Sequence, residues 1–240
     1  MKIKSLFISD IHLGNPNSQP KKLLEVFKKY DFENLFIVGD FIDLTYLKRR
    51  FYWNQNHTNI IQKVLKYSKK CKVVYILGNH DKYVRELIKD ENIYIGNILI
   101  CDEYVYPSKK GNIYITHGDC FDGKIQIHPF IYLLGDVSYE FSIKLNKLFN
   151  FFRKLFGMDY FSLSAYLKTK VKNIVKFLAD YKKEASKKLS DKKCDIILMG
   201  HTHTPIMSEK YYNTGDFCES CSYIIEKLDG SFELRYMNKH

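Results

Sequence analysis

Five short clusters of polar residues hold most of the chemistry this chain can offer, and each follows directly on an apolar run. Asp10-Ile11-His12 comes behind the run Ile3 to Ile8. Asp40-Phe41-Ile42-Asp43 follows Asn34 to Val38, and Asn79-His80-Asp81 follows Lys72 to Leu77. His117 ends the run from Asn112 to Thr116, and His201-Thr202-His203 ends the run from Asp195 to Met199. Short continuous apolar runs read as buried strands, and α/β folds place ligand-binding groups just past strand ends. On an extended chain, residues two apart point to the same side. Asp10 and His12 are therefore expected to meet at one point beyond their strand. Taken alone, that pair reads better as a capped turn beside a surface His. Five such clusters in succession, in a chain with only 8 His, read better as one shared site. Gly39, Gly78 and Gly200 each precede a cluster, where a missing side chain permits a sharp exit and leaves room.

The donor set defines the chemistry. Asp10, His12, Asp40, Asn79, His117, His201 and His203 offer carboxylates, imidazoles and an amide carbonyl, with no thiolate. That is too many groups for one tetrahedral site. It suits two divalent ions of the manganese or iron kind, with zinc also within range. Two such ions ~3.5–4 Å apart clamp an in-line displacement at phosphorus and lower the pKa of a shared water.

The elements that must position these groups alternate along the chain. Pro20 to Tyr30 has helical spacing, with Leu23, Leu24 and Phe27 on one face and lysines on the other. Arg50 to Lys70 reads as one long helix, with Ile60, Ile61, Val64, Leu65 and Tyr67 as its stripe. Lys82 to Lys89 reads as a short helix, and Ile93 to Tyr106 as a run of strands. The stretch 127–189 differs in kind. It has no strand signal, and Phe141, Leu145, Leu148, Phe149, Phe152, Leu155 and Phe156 recur at helical intervals, as do Leu167, Val171, Ile174, Val175, Leu178 and Tyr181. We read 1–126 and 190–240 as the core and 127–189 as an inserted helical subdomain. Two strands, Tyr223 to Leu228 and Phe232 to Met237, close the chain around a turn at Asp229-Gly230.

With 240 residues, 45% of them hydrophobic and 15% aromatic, the chain can build a large core. The 38 Lys and Arg against 27 Asp and Glu give a net charge of +11, which suits phosphorylated substrates, nucleic acid or an anionic membrane surface. No apolar run approaches the ~18 residues needed to span a bilayer, and the opening lysines precede a stretch too short for a signal peptide. A cytoplasmic protein with reduced cysteines is expected, with contact to the inner face of the membrane open. Cys218 and Cys221 have C-x-x-C spacing, but no second pair accompanies them, and the spacing is read as coincidence. His57 and His240 are expected at the surface and Trp53 against a helix. His128 is read as a hinge or a substrate contact, and Asn15, Asp119 and Asp122 as neighbours of the ligand clusters.

In order along the chain, Asp10-x-His12, Gly39-Asp40-x-x-Asp43, Gly78-Asn79-His80-Asp81, His117 and Gly200-His201-x-His203 resemble the five motifs of the calcineurin-like metallophosphoesterases. The resemblance covers Lys2 to Thr204 apart from the insert. It implies an α/β fold, a two-sheet β sandwich flanked by helices, carrying an inserted helical lid. It implies that Asp10, His12 and His203 hold one metal, that Asn79, His117 and His201 hold the other, and that Asp40 bridges both. By the same resemblance His80 is a catalytic group over the phosphate rather than a ligand, oriented by Asp43. Ser9 to Gly14, the insert, and Asn213 to Cys221 are similar to the branch around UDP-2,3-diacylglucosamine pyrophosphatase, which serves lipid A biosynthesis and whose lid holds acyl chains. This chain has His80 where that branch carries Arg, and Asp43 where it carries Glu. Hydrolysis of a soluble nucleotide or of nucleic acid is the alternative, and a plain structural hairpin is the alternative for the insert. A non-catalytic scaffold would have lost ligands that this chain keeps.

Overall fold

Leu6, Phe7 and Ile8 are all buried in succession, and so are Leu35 to Val38 and Val73 to Ile76. Strands with no polar face must be covered on both sides, and the computed structural model, which describes residues 1–88, 92–124 and 183–237, shows both covers. Strands β1 (Lys2–Ile8), β2 (Asp31–Val38), β3 (Lys72–Ile76), β4 (Ile93–Ile95) and β5 (Ile98–Cys101) combine with β11 (Ser222–Glu226) and β12 (Phe232–Tyr236) in a seven-stranded sheet of order β12-β11-β1-β2-β3-β5-β4. A second sheet has the order β6-β7-β8-β10-β9, from β6 (Glu103–Ser108), β7 (Gly111–Thr116), β8 (Ile196–Met199), β9 (Ile206–Met207) and β10 (Tyr211–Asn213). Both sheets mix parallel and antiparallel pairs.

Alternate side chains of the central strands serve two cores. Leu6, Ile8, Leu35, Ile37, Val73 and Tyr75 pack with residues of α1 (Pro20–Lys29), α3 (Gln55–Tyr67) and α4 (Lys82–Ile88). Phe7, Phe36, Val38, Val74 and Ile76 pack against Ile113, Ile115, Ile196, Leu198 and Tyr212 of the second sheet. Phe7 and Phe36 stack with centroids 4.8 Å apart. Each such fully buried large apolar side chain contributes roughly 1.5–3 kcal/mol. The fold is thus a mixed α/β arrangement, two sheets face to face with helices on the outer side of the first.

The chain divides into two compact units, Met1–Cys120 with Ala185–His240, and Phe121–Glu184. Most of the expected insert, and all of its aromatic stripe, lies outside the described residues. Residues 183–192 are helical, across the boundary expected at 189, and Ala185 and Leu189 are buried.

Three sequence readings need correction. The helix expected over 50–70 is shorter, α3 beginning only at Gln55, where Asn54 accepts hydrogen bonds from the backbone N–H of Asn56 and His57 and so starts it, and a separate short helix, α2 (Leu44–Arg49), precedes it. Strand β2 begins at Asp31, because pairing with β1 extends it beyond its apolar run. His57 is fully buried, with the rings of Tyr52 and Trp53 against it and no hydrogen bond to either ring nitrogen. Trp53 is half-buried against the helix-side core. Strands β9 and β10 had no apolar pattern to announce them.

Candidate metal centre

Strands β1, β2 and β3 are neighbours and parallel, so their C-terminal ends lie side by side. In the second sheet β7 and β8 are likewise parallel neighbours. All five polar clusters leave from these ends. Backbone hydrogen bonds join the exits: Asp10 N–H to Gly39 O at 3.1 Å, His12 N–H to Asp40 O at 2.9 Å, Asp43 N–H to Leu13 O at 2.8 Å and Gly200 N–H to His117 O at 3.1 Å. One link crosses between the sheets, from His201 N–H to Asp10 Oδ2 at 3.0 Å.

Strand alternation is not what aims Asp10 and His12. Both lie beyond β1 with φ of 50°, and Asp40 (51°), His201 (64°) and His203 (52°) share this left-handed backbone. Such a conformation costs about 1–3 kcal/mol at each non-glycine residue and concentrates at functional sites. Asp and His tolerate it better than most. Two glycines make room for the result. A Cβ on Gly39, itself at φ +84°, would lie 2.1 Å from His117 Nδ1, and one on Gly78 would lie 2.2 Å from Asp40 Oδ1.

The side chains then fall into two groups that share Asp40. In one, His203 Nε2 lies 3.2 Å and His12 Nε2 3.9 Å from Asp10 Oδ1. In the other, Asn79 Oδ1 lies 3.2 Å from His117 Nε2 and 3.1 Å from His201 Nδ1. Asp40 Oδ2 sits 3.7 Å from His12 Nε2 and 3.4 Å from His117 Nε2, within reach of both groups. The expected ligands Asp10, His12, Asp40, Asn79, His117, His201 and His203 are therefore brought together.

His80 stands beside the first group. Its Nδ1 is 2.6 Å from Asp43 Oδ1, and its ring meets that of His12 edge-on at 4.7 Å between centroids. Asp43 Oδ2 accepts from Asn15 Nδ2 at 3.0 Å and lies 3.3 Å from His12 Nδ1. Asp43 thus holds His12 and His80 together. A ring nitrogen of His80 also falls within 4.8 Å of candidate donors on His12 and Asp40, so position alone admits it as a ligand.

Burial acts against every charge here, and neighbours decide the outcome. Burial pushes the Asp10 carboxyl up, but the imidazoles of His203, His117 and His12 together hold it well below the usual carboxylate range. Burial also pushes Asp40 up, but His117 and His12 together lower it. Burial of Asp43 is offset by hydrogen bonds from His12, His80, Asn15 and the Tyr46 N–H, and the group is lowered. Burial would lower His117 and His203, yet the carboxylates of Asp40 and Asp10 raise them to about 10 and about 9. Burial would lower His80, yet Asp43, Asp40 and Asp81 together raise it.

These residues fit divalent cations. His12 Nε2 is buried and makes no hydrogen bond, lying 3.7 Å from Asp40 Oδ2 and 3.9 Å from Asp10 Oδ1, a costly state unless a cation sits between them. The donors are carboxylate, imidazole and amide, a set suited to first-row divalent ions.

Sequence reasoning missed the groups beneath the ligands. Ser9 Oγ bonds Thr214 Oγ1 at 2.6 Å and Gly215 O at 2.9 Å. Asn213 Nδ2 donates to Gly200 O at 2.6 Å and to Thr202 Oγ1 at 3.1 Å. Buried Asp216 accepts from the backbone N–H of Cys218 and folds the 216–220 loop, while Phe217 N–H donates to Asp10 O at 3.0 Å. Asn15 and Asp119 were noted only as neighbours of the clusters. Asn15 bonds Asp43 as described, and Asp119 pairs with Arg85 at 2.8 Å.

A model of the calcineurin-like phosphoesterase family matches residues 3–205. Among solved structures, the chain is similar to hypothetical protein PH1004 from Pyrococcus horikoshii OT3, with 11% identity, 98% of this chain and 88% of that one covered, and a TM-score of 0.50. It is also similar to Yfce, a phosphoesterase from E. coli (17% identity, 98% and 100% covered, TM-score 0.46). A third is a novel archaeal phosphodiesterase (13% identity, 98% and 99% covered, TM-score 0.45). No curated protein matches the chain. The matched residues 3–205 contain all five clusters and both parallel strand groups that aim them, and the chain belongs to the calcineurin-like phosphoesterases, metal-dependent hydrolases of phosphoric esters.

Proposed function

We propose that this protein hydrolyses a phosphodiester or pyrophosphate bond at a binuclear centre, with UDP-2,3-diacylglucosamine or a similar nucleotide-linked lipid as substrate. The observation that carries the hydrolytic reading is Asp40 Oδ2 lying between two donor groups that each leave polar atoms directed at one point. Asp10, His12 and His203 would hold one ion, Asn79, His117 and His201 the other, and Asp40 both. Manganese is the preferred ion, with iron or zinc as the others the donors admit. When bound, such ions supply positive charge to the phosphoryl oxygens and lower the pKa of water.

The chain's own groups do the rest. Asp43 accepts at His80 Nδ1, which fixes the ring and leaves Nε2 to donate a proton to the departing oxygen or to hold a phosphoryl oxygen. Asp43 also keeps His80 basic enough to carry that proton near neutral pH. Hydrolysis at the phosphorus bearing the nucleoside breaks one P–O bond, takes up one water and releases a nucleoside monophosphate and a lipid 1-phosphate.

The lipid reading rests on the likeness of Ser9 to Gly14 and Asn213 to Cys221 to the lipid A branch, and on the aromatic helical pattern of 127–189. A cytoplasmic protein working at the inner membrane face fits that substrate, and no described helix is long and apolar enough to cross a membrane. The His80–Asp43 pair favours the second reading, a phosphodiesterase for soluble nucleotides. The two separate in one assay with manganese, comparing bis-p-nitrophenyl phosphate with UDP-2,3-diacylglucosamine and following products by phosphorus NMR. Nucleoside monophosphate from the lipid is the expected result. Cleavage of the aryl diester alone would favour the second reading, and cleavage of neither would overturn both.

A further inference from the structure

Asp81 follows His80 directly, is completely buried and belongs to none of the candidate donor groups among the described residues. Its contacts are all behind the metal centre. Asp81 Oδ2 accepts from Asp40 N–H at 2.8 Å and from Gly78 N–H at 2.9 Å, and Asp81 Oδ1 accepts from Tyr75 Oη at 2.5 Å. Tyr75 sits on β3 with its ring edge-on to Phe41 at 5.6 Å. The arrangement closes on itself, because Asp40 Oδ1 in turn accepts from His80 N–H at 2.9 Å. The residue whose backbone Asp81 grips is the one held at φ 51° between two donor groups.

We propose that Asp81 is a positioning residue that sets the placement of Asp40 and thereby allows two ions to share one carboxylate. The inference rests on the reading of Asp40 as the shared ligand. The arrangement uses both side-chain oxygens of Asp81: one satisfies two adjacent amides while the other takes the phenol. Without it, the Asp40 and Gly78 amides would be buried and unpaired, and the left-handed turn at Asp40 would lose its only side-chain anchor among the described residues. Gly78 leaves no free space to absorb a shift, since even a Cβ there would reach within 2.6 Å of Asp40 N. A small relaxation of Asp40 would move its carboxylate away from one donor group or the other. Partners that orient ligands in this way are worth about 10–100-fold in metal affinity.

Manganese titration followed by electron paramagnetic resonance tests this in the full chain, with Asp81→Ala, Asp81→Asn and Tyr75→Phe beside wild type. Wild type is expected to show the signal of a spin-coupled pair. Asp81→Ala should bind the second ion about 10–100-fold more weakly, lose the coupled signal at the same manganese concentration, and show lower kcat on bis-p-nitrophenyl phosphate with unchanged KM. Asp81→Asn keeps an oxygen for the two amides and should recover most of the coupled signal, with Tyr75→Phe falling between. A folded Asp81→Ala protein with the wild-type coupled signal would overturn the inference. If that variant does not fold, wild-type affinity for both ions and a wild-type coupled signal in Tyr75→Phe would do so. Wild-type protein without a coupled pair would overturn the binuclear reading itself, and the inference with it.

Discussion

His80 is the one imidazole of the site whose Nδ1 is committed to a carboxylate in a close pair, at 2.6 Å from Asp43. His117 by contrast has its Nδ1 2.9 Å from Val38 O, which leaves Nε2 facing Asp40. The two therefore take different parts. His80→Ala is expected to lower kcat by about 10²–10⁴ while inductively coupled plasma analysis still finds the metals. A fall in metal content would make His80 a ligand. The protonation of His117 and His203 gives a second prediction. Their values in the folded, metal-free protein, about 10 and about 9, lie above the unfolded value. The imidazole–carboxylate pairs thus stabilise the metal-free fold fully below pH ~6.5 and lose that contribution as pH rises through 9 and 10. Metal must displace those protons. The rise in melting temperature on adding manganese should therefore grow from pH 6.5 to pH 9, with proton release measurable in weak buffer. A rise that shrinks with pH would contradict this.

At the level of elements, Asp43 joins structure to chemistry. It caps α2 by accepting from Tyr46 N–H at 2.8 Å, and the same carboxylate holds His80. The two roles separate by substitution. Asp43→Asn should keep the cap through its one oxygen to Tyr46 N–H and lower the melting temperature only slightly, because its amide nitrogen then faces Asn15 Nδ2. The alkaline limb of its kcat profile should move to lower pH, because an amide does not raise His80 as the carboxylate does. Asp43→Ala should lose about 1 kcal/mol in addition. Identical pH profiles for wild type and Asp43→Asn would refute the pairing. The strands and their polar ends were legible because buried parallel strands are continuously apolar and stop abruptly. Helix α2 was not legible, since none of its residues is buried and it has no apolar stripe. The meeting of Asp10 and His12 was read correctly in outcome and wrongly in cause. Side-chain alternation was assumed, whereas left-handed backbone directs both, and no sequence pattern reports φ. Asp81, Asn213 and Asp216 were quoted within motifs but given no role, because their partners are mostly backbone amides and carbonyls, which every sequence supplies equally. His57 looked like a surface residue for want of a motif, and the aromatics beside it buried it.

Across the whole molecule, the unit formed by Met1–Cys120 and Ala185–His240 contains every candidate ligand. Replacing 127–182 by a short Gly-Ser linker should therefore leave bis-p-nitrophenyl phosphate hydrolysis within about tenfold of wild type, a change of some 1.4 kcal/mol in the barrier. Activity on the lipid pyrophosphate should disappear. Loss of both activities would show that the core needs the insert to assemble, and retention of both would leave the insert a structural hairpin. The two sheets are also tied by Glu226, whose buried Oε2 accepts from Ser5 Oγ and Tyr106 Oη, each at 2.7 Å.

The bond from His201 N–H to Asp10 Oδ2 joins residues 191 positions apart. It makes the candidate metal centre a clasp between β1 of the first sheet and β8 of the second. During synthesis on the ribosome, the emerging chain carries Asp10, His12, Asp40, Asn79 and His117 long before His201 and His203 exist. A nascent chain therefore offers each ion an incomplete set of donors. Closing so long a loop carries an entropic cost that only the finished second sheet offsets. If His201 and His203 are ligands as proposed, chains truncated before Ile196 should neither retain manganese nor cleave an aryl diester, measured by metal content and release of p-nitrophenol.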